Sequence, residues 1–205
     1  MRYYEDWHWH YPAALTWMAA ARAHCLSTGK ASLGIGSHSY DLVTLGRHAS
    51  DTDILDANAL ARRNVEIFRI DRGGGATLHG PGQVVVYPVL SLTKLQLSVP
   101  AFTSILESAI IACLAEFGID AHTIADQPGV FVAGAKIGAI GLHVSQGVVT
   151  HGLSLNVSND LSLYTNIVPC RNAQTPLTSM TMVLGSKVEM GVVGLRLREL
   201  LQKLS

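Results

Sequence analysis

The strongest constraint on the fold lies in residues 129–157, "GVFVAGAKIGAIGLHVSQGVVTHGLSLNV", where apolar runs are separated only by short glycine-bearing connections such as "SQG" at 145–147. Connections this short return the chain to an antiparallel neighbour, because a parallel pair needs a crossover of about a dozen residues or more. Strands are therefore expected at 129–133, 136–144 and 148–157, and by the same turn signals at 41–45, 66–70 and 84–90. A helix is expected from Pro12 to just before Gly29, with Leu15, Met18, Ala19 and Leu26 on one side, and a short one at 55–63. Pro100 opens a third helix, in which Phe102, Ile105, Leu106, Ala109, Ile110, Cys113 and Phe117 recur at helical spacing before Gly118. A fourth, at 189–204, carries Val192, Val193, Leu200, Leu201 and Leu204. Strands and helices do not alternate regularly, which argues against a doubly wound parallel sheet and for an α+β fold of mixed or antiparallel sheets with packed helices.

A chain of 205 residues has the length of one domain with a full core, so a single domain over 1–205 is expected. Lys+Arg and Asp+Glu balance at 15 each, leaving no net field toward nucleic acid or a membrane surface, and neither partner is expected. Charged residues are 15% of the chain, against about 25% in an average globular protein; a groove for an apolar ligand fits that but does not follow from it. No apolar run is expected to reach the roughly 18 residues of a bilayer span, and "MRYYEDWHWH" has neither a signal-peptide apolar stretch nor an arginine-rich transit pattern; a cytoplasmic protein is the expectation. Cys25, Cys113 and Cys170 are odd in number and widely spaced, so neither a disulfide framework nor a cysteine-rich zinc site is indicated. "HWH" at 8–10 has no further ligand run, and no metal is expected.

Residues 72–83, "RGGGATLHGPGQ", concentrate five glycines and a proline around Arg72, Thr77, His79 and Gln83. The stretch lacks the lysine and hydroxyl of a phosphate loop, and Leu78 stands where a dinucleotide fingerprint needs its third glycine. Tight turns between strands 66–70 and 84–90 would account for Gly80-Pro81-Gly82, but Arg72, Thr77 and His79 are polar groups that a bare turn does not require. Downstream, strand alternation puts Lys136 on one face with Ile140, Leu142 and Val144, unless it reaches water along its own stem at the strand's end. His151 shares a face with Val149, Leu153 and Leu155, as a hydrogen-bonded core histidine or a catalyst. Cys113 reads as an inert core thiol. Cys170 follows Pro169 in the polar segment "PCRNAQT", where a thiol is reachable and a nearby cation, Lys136 or Arg171, would favour the nucleophilic thiolate.

Together, "TLGR" at 44–47, "RGGGATLHGPGQVVVYPVLSL", "DQPGVFVAGAKIGAIGLHVSQGVVTHGLSLNVSNDL" and "IVPC" closely resemble the lipoyl-protein octanoyltransferase family, also called the lipoate–protein ligase B family, over about residues 40–183. The resemblance implies the fold of the catalytic domains of biotin and lipoate protein ligases. It also implies an ATP-independent acyltransferase without cofactor that forms an acyl-thioester on Cys170, with Lys136 lowering that thiol's pKa. An octanoyl or lipoyl group would come from acyl carrier protein and go to a lysine of the lipoyl domains of 2-oxoacid dehydrogenases or of glycine cleavage H protein. The implied acyl site comprises Arg72, Gly73, Gly74, Gly75, Ala76, Thr77, Leu78 and His79, with Ala139, Ile140, Gly141, Gly152, Leu153 and Ser154. Small residues there would let backbone amides approach a thioester carbonyl and stabilise an oxyanion. Lys136 would act first as a cation and then as the base for the attacking amine. Arg171 departs from the glycine that many members carry after the cysteine. An ATP-dependent lipoate ligase, a cysteine hydrolase using Cys170 with His79 or His151, and a non-catalytic acyl-binding protein are the alternatives.

Overall fold

The SQG connection turns as its composition requires: Gln146 and Gly147 both take left-handed φ, 52° and 74°, the type I′ geometry whose twist matches paired strands. It joins β9 (Ala135–Ser145) to β10 (Val148–Asn156), which pair from Val148↔Ser145 to Leu155↔Gly138. Ala133 and Gly134, at φ 47° and 79°, turn β8 (Gln127–Val132) into β9 in the same way. In a computed structural model describing residues 1–169 and 175–204, these strands belong to a seven-stranded sheet. The other members are β1 (Arg2–Trp9), β2 (Ser32–His38), β6 (Gln83–Ser91) and β7 (His122–Ile124), and the order is β1-β2-β6-β10-β9-β8-β7. Only β1 and β2 run parallel within it. A second sheet, in the order β4-β3-β5, is built from β3 (Leu42–Leu45), β4 (Glu66–Arg69) and β5 (Ala76–His79).

Alternation along β6 divides the core. Val84, Val86 and Leu90 face α3 (Val99–Glu116) and α5 (Met190–Leu201), whereas Val85, Tyr87 and Val89 face α1 (Tyr11–Thr28). On α3, Phe102, Leu106, Ile110 and Leu114 are fully buried, each contributing roughly 1.5–3 kcal/mol of transfer free energy. Its first turn is held by Ser98, whose hydroxyl accepts from the Ala101 amide at 3.2 Å, and by Pro100. A third cluster under the small sheet joins Val43, Leu45, Leu60, Ala76 and Leu78 to Leu163 and Ile167; Leu60 comes from α2 (Ala57–Arg62).

The structure corrects the sequence reading in several places. β1, β2, β5, β7 and α4 (Met180–Leu184) were not expected. β2 is buried on both faces and so shows no alternation, and its glycines mark close packing: a Cβ at Gly36 would lie 1.7 Å from the Asp6 carbonyl oxygen. The buried side of α1 is Tyr11, Ala14, Met18, Ala21 and Cys25; Ala19 and Leu26 face outward, because Trp9, Tyr87 and Val89 meet the helix one residue round from the expected stripe. By length and composition α3 is apolar enough to cross a membrane, yet here its apolar residues pack on the sheet.

Candidate active site

The open half of the glycine-rich stretch is shaped by Arg72. Its guanidinium is buried and donates from Nε and Nη2 to Thr44 Oγ1 at 3.1 and 2.7 Å, from Nη2 to the Thr44 carbonyl at 2.6 Å, and from Nη1 to the Gly73 carbonyl at 2.9 Å. The rigid fork of five donors suits such a brace. Amides of Gly46, Arg47 and His48 donate to the carbonyls of Gly75, Arg72 and Gly74 at 3.2, 2.9 and 3.1 Å, and the Gly73 amide donates to the Leu142 carbonyl of β9 at 2.8 Å. The amides of Gly74 and Gly75 donate to no backbone carbonyl among the described residues.

These glycines form one wall of a cleft of about 420 Å³. Lys136, Ile140, Gly141 and Leu142 of β9 form another, and Val99 and Thr103 of α3 with Asp126, Gln127 and Pro128 close it. Lys136 is half-buried; its Nζ donates to the Pro128 carbonyl at 3.0 Å and stands 5.1 Å from the Phe131 ring centre. Its backbone pairs with the segment after residue 175: the Lys136 amide donates to the Pro176 carbonyl and the Thr178 amide to the Lys136 carbonyl, at 2.8 and 3.0 Å. Cys170 and Arg171 lie outside the described residues. Pro169, which pairs with Ala76 of β5, and Thr175 both line the cleft. The other thiols are buried; burial pushes Cys113 up to about 12 and raises Cys25 as well.

A smaller pocket, about 50 Å³, adjoins the cleft and shares Gly74, Ile140 and Gly141 with it. Arg72, Thr77, His79, Ala139, Gly152, Leu153 and Ser154 line it, together with Tyr11 and Tyr87. Ala76 and Leu78 line neither space. The strand's alternate residues turn into the core cluster beneath the small sheet, so these two pack with Val43 and Leu60 instead. Tyr11 escapes a motif reading because nothing in its local pattern points to a pocket it reaches only through the packing of α1.

His79 is fully engaged: Nδ1 donates to Gln83 Oε1 at 2.7 Å, and the Gln83 amide group donates to the Leu78 carbonyl and Asn156 Oδ1 at 3.2 and 2.9 Å. Burial, with the nearby His38 adding to it, pushes His79 down to about 3, so the ring is neutral at pH 7. His38 is held likewise, between the Trp9 carbonyl at 3.0 Å and the Tyr87 hydroxyl at 2.9 Å, and burial lowers it to about 4. His151 takes a left-handed φ of 58° where the β6–β10 ladder lapses around Pro88, and its Nε2 bonds Asp71 Oδ1 at 2.8 Å. Asp71 Oδ2 lies 3.3 Å from His143 Nε2. Burial pushes His151 below its ordinary value; for Asp71, burial is the largest single effect and acts upward, but the hydrogen bond from His151 together with the charges of His151 and His143 outweighs it, and the carboxyl is lowered. His151 is buried and hydrogen-bonded, and it also lines the small pocket. No cluster of three or more histidine, cysteine or carboxylate groups suited to a metal occurs among the described residues.

Residues 35–202 match the family described as the lipoyl protein ligase A/B catalytic domain. The octanoyltransferase of Alkaliphilus metalliredigens is 41% identical over 153 residues, covering 74% of this chain and 70% of the relative. That of Solibacter usitatus is 43% identical over 156 residues, covering 76% and 70%. Among solved structures, lipoate-protein ligase A bound with ATP superposes with a TM-score of 0.82 at 16% identity, over 98% of this chain and 84% of that one. The putative lipoate protein ligase Ta0514 of T. acidophilum with bound lipoic acid gives 0.76 at 17% over 98% and 83%, and the Leishmania major biotin protein ligase gives 0.59 at 11% over 99% and 73%. The fold is thus that of the lipoate and biotin protein ligases.

Proposed function

The chain belongs to the lipoyl protein ligase A/B catalytic-domain family, and from that premise we propose that it transfers an octanoyl group from acyl carrier protein, through a thioester on Cys170, to a lysine of a lipoyl domain. Octanoyl transfer in protein lipoylation is the activity its curated relatives support, with an acyl donor and a lipoyl-domain acceptor. In this reading residues 1–205 act as one catalytic domain in the cytoplasm.

The observation that carries the mechanism is that Lys136, Gly74 and Gly75 line one apolar-walled cleft that Pro169, the residue before Cys170, also lines, and that the amides of Gly74 and Gly75 donate to no backbone carbonyl among the described residues. A thiol of ordinary pKa near 8.5 is about a few per cent thiolate at neutral pH, and an adjacent ammonium raises that fraction. The thiolate attacks the donor's thioester carbonyl; the carbonyl oxygen becomes an oxyanion, for which the glycine amides are suitable donors. Collapse expels the carrier's thiolate, which takes a proton from Lys136 and leaves that lysine neutral, and one thioester has replaced another without ATP. The neutral acceptor amine then attacks the Cys170 thioester and gives the proton it must lose to the neutral Lys136; collapse leaves an amide, the free thiolate and the restored ammonium.

The test is intact-mass analysis after exposure to octanoyl-acyl carrier protein, followed by addition of a lipoyl domain. An octanoyl adduct that is absent from Cys170→Ser and chased onto the lipoyl domain without ATP is expected. An adduct on Cys25, or transfer that requires octanoic acid and ATP, would overturn the proposal in favour of a different site or of a ligase. Release of free octanoate in place of the amide would make the chain a thioester hydrolase.

A further inference from the structure

The mechanism leaves Glu107 unused. It sits near the middle of α3 among the helix's most apolar residues, is 9% exposed, and has no ion-pair partner among the described residues. A buried carboxylate without a cation is costly and is kept only where its hydrogen bonds repay the desolvation. Its Oε1 accepts from the Gly129 amide at 2.9 Å. That amide belongs to the same peptide group as the Pro128 carbonyl, which accepts from Lys136 Nζ at 3.0 Å. A trans peptide directs its N–H and C=O to opposite sides, so one peptide unit spans the carboxylate and the ammonium. Gly129 is held close to both neighbours: φ is +127°, and an added Cβ would lie 2.6 Å from the Gly138 carbonyl oxygen and 3.2 Å from Lys136 Cε.

We propose that Glu107 is a positioning residue for Lys136, acting through the Pro128–Gly129 peptide. The carboxylate fixes the plane of that peptide and polarises it, so that the Pro128 carbonyl is presented to the ammonium as a strengthened acceptor. Lys136, only half-buried and on a flexible stem, is thereby kept on the cleft wall. Asp126 also lines the cleft, but from the turn before β8, and it is no part of the link. The inference rests on the proposed role of Lys136 toward Cys170.

Thiol alkylation of Cys170 against pH, on the full chain, provides the readout. Lys136→Met should move the midpoint up by about one pH unit. Glu107→Leu should move it part of the way in the same direction, and the double variant should match Lys136→Met alone. Glu107→Gln, which keeps an acceptor oxygen but no charge, should restore most of the wild-type profile. A normal profile for Glu107→Leu beside a shifted one for Lys136→Met would overturn the positioning role while leaving the thiol–lysine reading intact; an unshifted Lys136→Met profile would overturn that reading itself. Additive shifts in the double variant would overturn the link through the peptide, and so would a Glu107→Gln profile identical to Glu107→Leu. Should Glu107→Leu not fold, the Gly129 amide proton resonance in Lys136→Met decides: an upfield move is expected when the peptide loses its ammonium, and an unmoved resonance would overturn the proposal.

Discussion

Two halves of the stretch 72–83 use glycine for opposite purposes. At 73–75 the Gly74 and Gly75 carbonyls are tied back to His48 and Gly46, the Gly73 carbonyl accepts from Arg72, and the chain faces open space; a Cβ added at Gly73 would meet only the Leu142 carbonyl oxygen, at 3.3 Å. At 80–82 the glycines face the protein itself: a Cβ at Gly82 would lie 2.6 Å from the Asn159 amide nitrogen, and one at Gly80 2.1 Å from Asp41 Oδ1. The first half leaves room for a ligand, whereas the second brings the small sheet, β6 and the 158–159 turn close enough to hold His79 and Gln83 in place. A glycine-rich motif is therefore not one functional unit, and its halves are expected to fail differently when altered.

The largest expected effect is at Gly82. Its φ of +87° disfavours any side chain, and the obstructing atoms are backbone, so Gly82→Ala should cost about 3 kcal/mol or more and lower the denaturation midpoint sharply. Unchanged stability would mean the closed half is not tightly packed. Next is Lys136→Met, from the open side of the comparison. Acyl transfer should fall about 100-fold, roughly 2.7 kcal/mol of barrier, with transfer to the lipoyl domain remaining slow even from pre-acylated enzyme. Normal turnover would remove Lys136 from the chemistry.

A smaller effect follows from two buried rings beside the closed half, His79 before it and His38 at the end of β2. His79 and His38, depressed to about 3 and about 4 by burial, are neutral when folded, whereas an unfolded histidine titrates near 6.5. The unfolded chain thus binds more protons between these values, and stability rises with pH there. It is fully present above about 6.5 and is lost as pH falls, by up to about 1.4 kcal/mol per pH unit for each ring. Urea midpoints measured from pH 4 to 6.5 should show this slope, and His79→Gln should make it shallower; an equal slope in the variant would refute a neutral buried His79. The smallest effect on stability is expected for Gly73→Ala, about 1 kcal/mol or less, since one carbonyl must yield a few tenths of an ångström. Its octanoyl-transfer rate should nevertheless drop, and loss of stability equal to that of Gly82→Ala would erase the distinction between the halves.

Much of the architecture could be read locally. The three strands of 127–156 and the helix after Ser98 are specified by period and turn chemistry, which need only near neighbours. The site residues became legible by another route, a motif resemblance, and Leu78 shows its limit: it stands within the motif, but strand alternation turns it into the core. β2 was illegible because both its faces are covered, so no alternation reports its direction. Tyr11 was missed because its place in the small pocket depends on how α1 docks.

The sequence by itself determined the types of the elements that carry a clear period or turn signal, the α+β class and the family, because apolar periodicity, glycine-bearing turns and motif spacing are properties of contiguous residues. Tertiary structure alone decided which glycines line an open cleft and which face the protein. It alone decided, too, that a helix carboxylate and a strand ammonium meet across the Pro128–Gly129 peptide. Those outcomes depend on distances between segments some 20 to 30 residues or more apart, set by how sheets and helices pack, and no local pattern encodes such a distance.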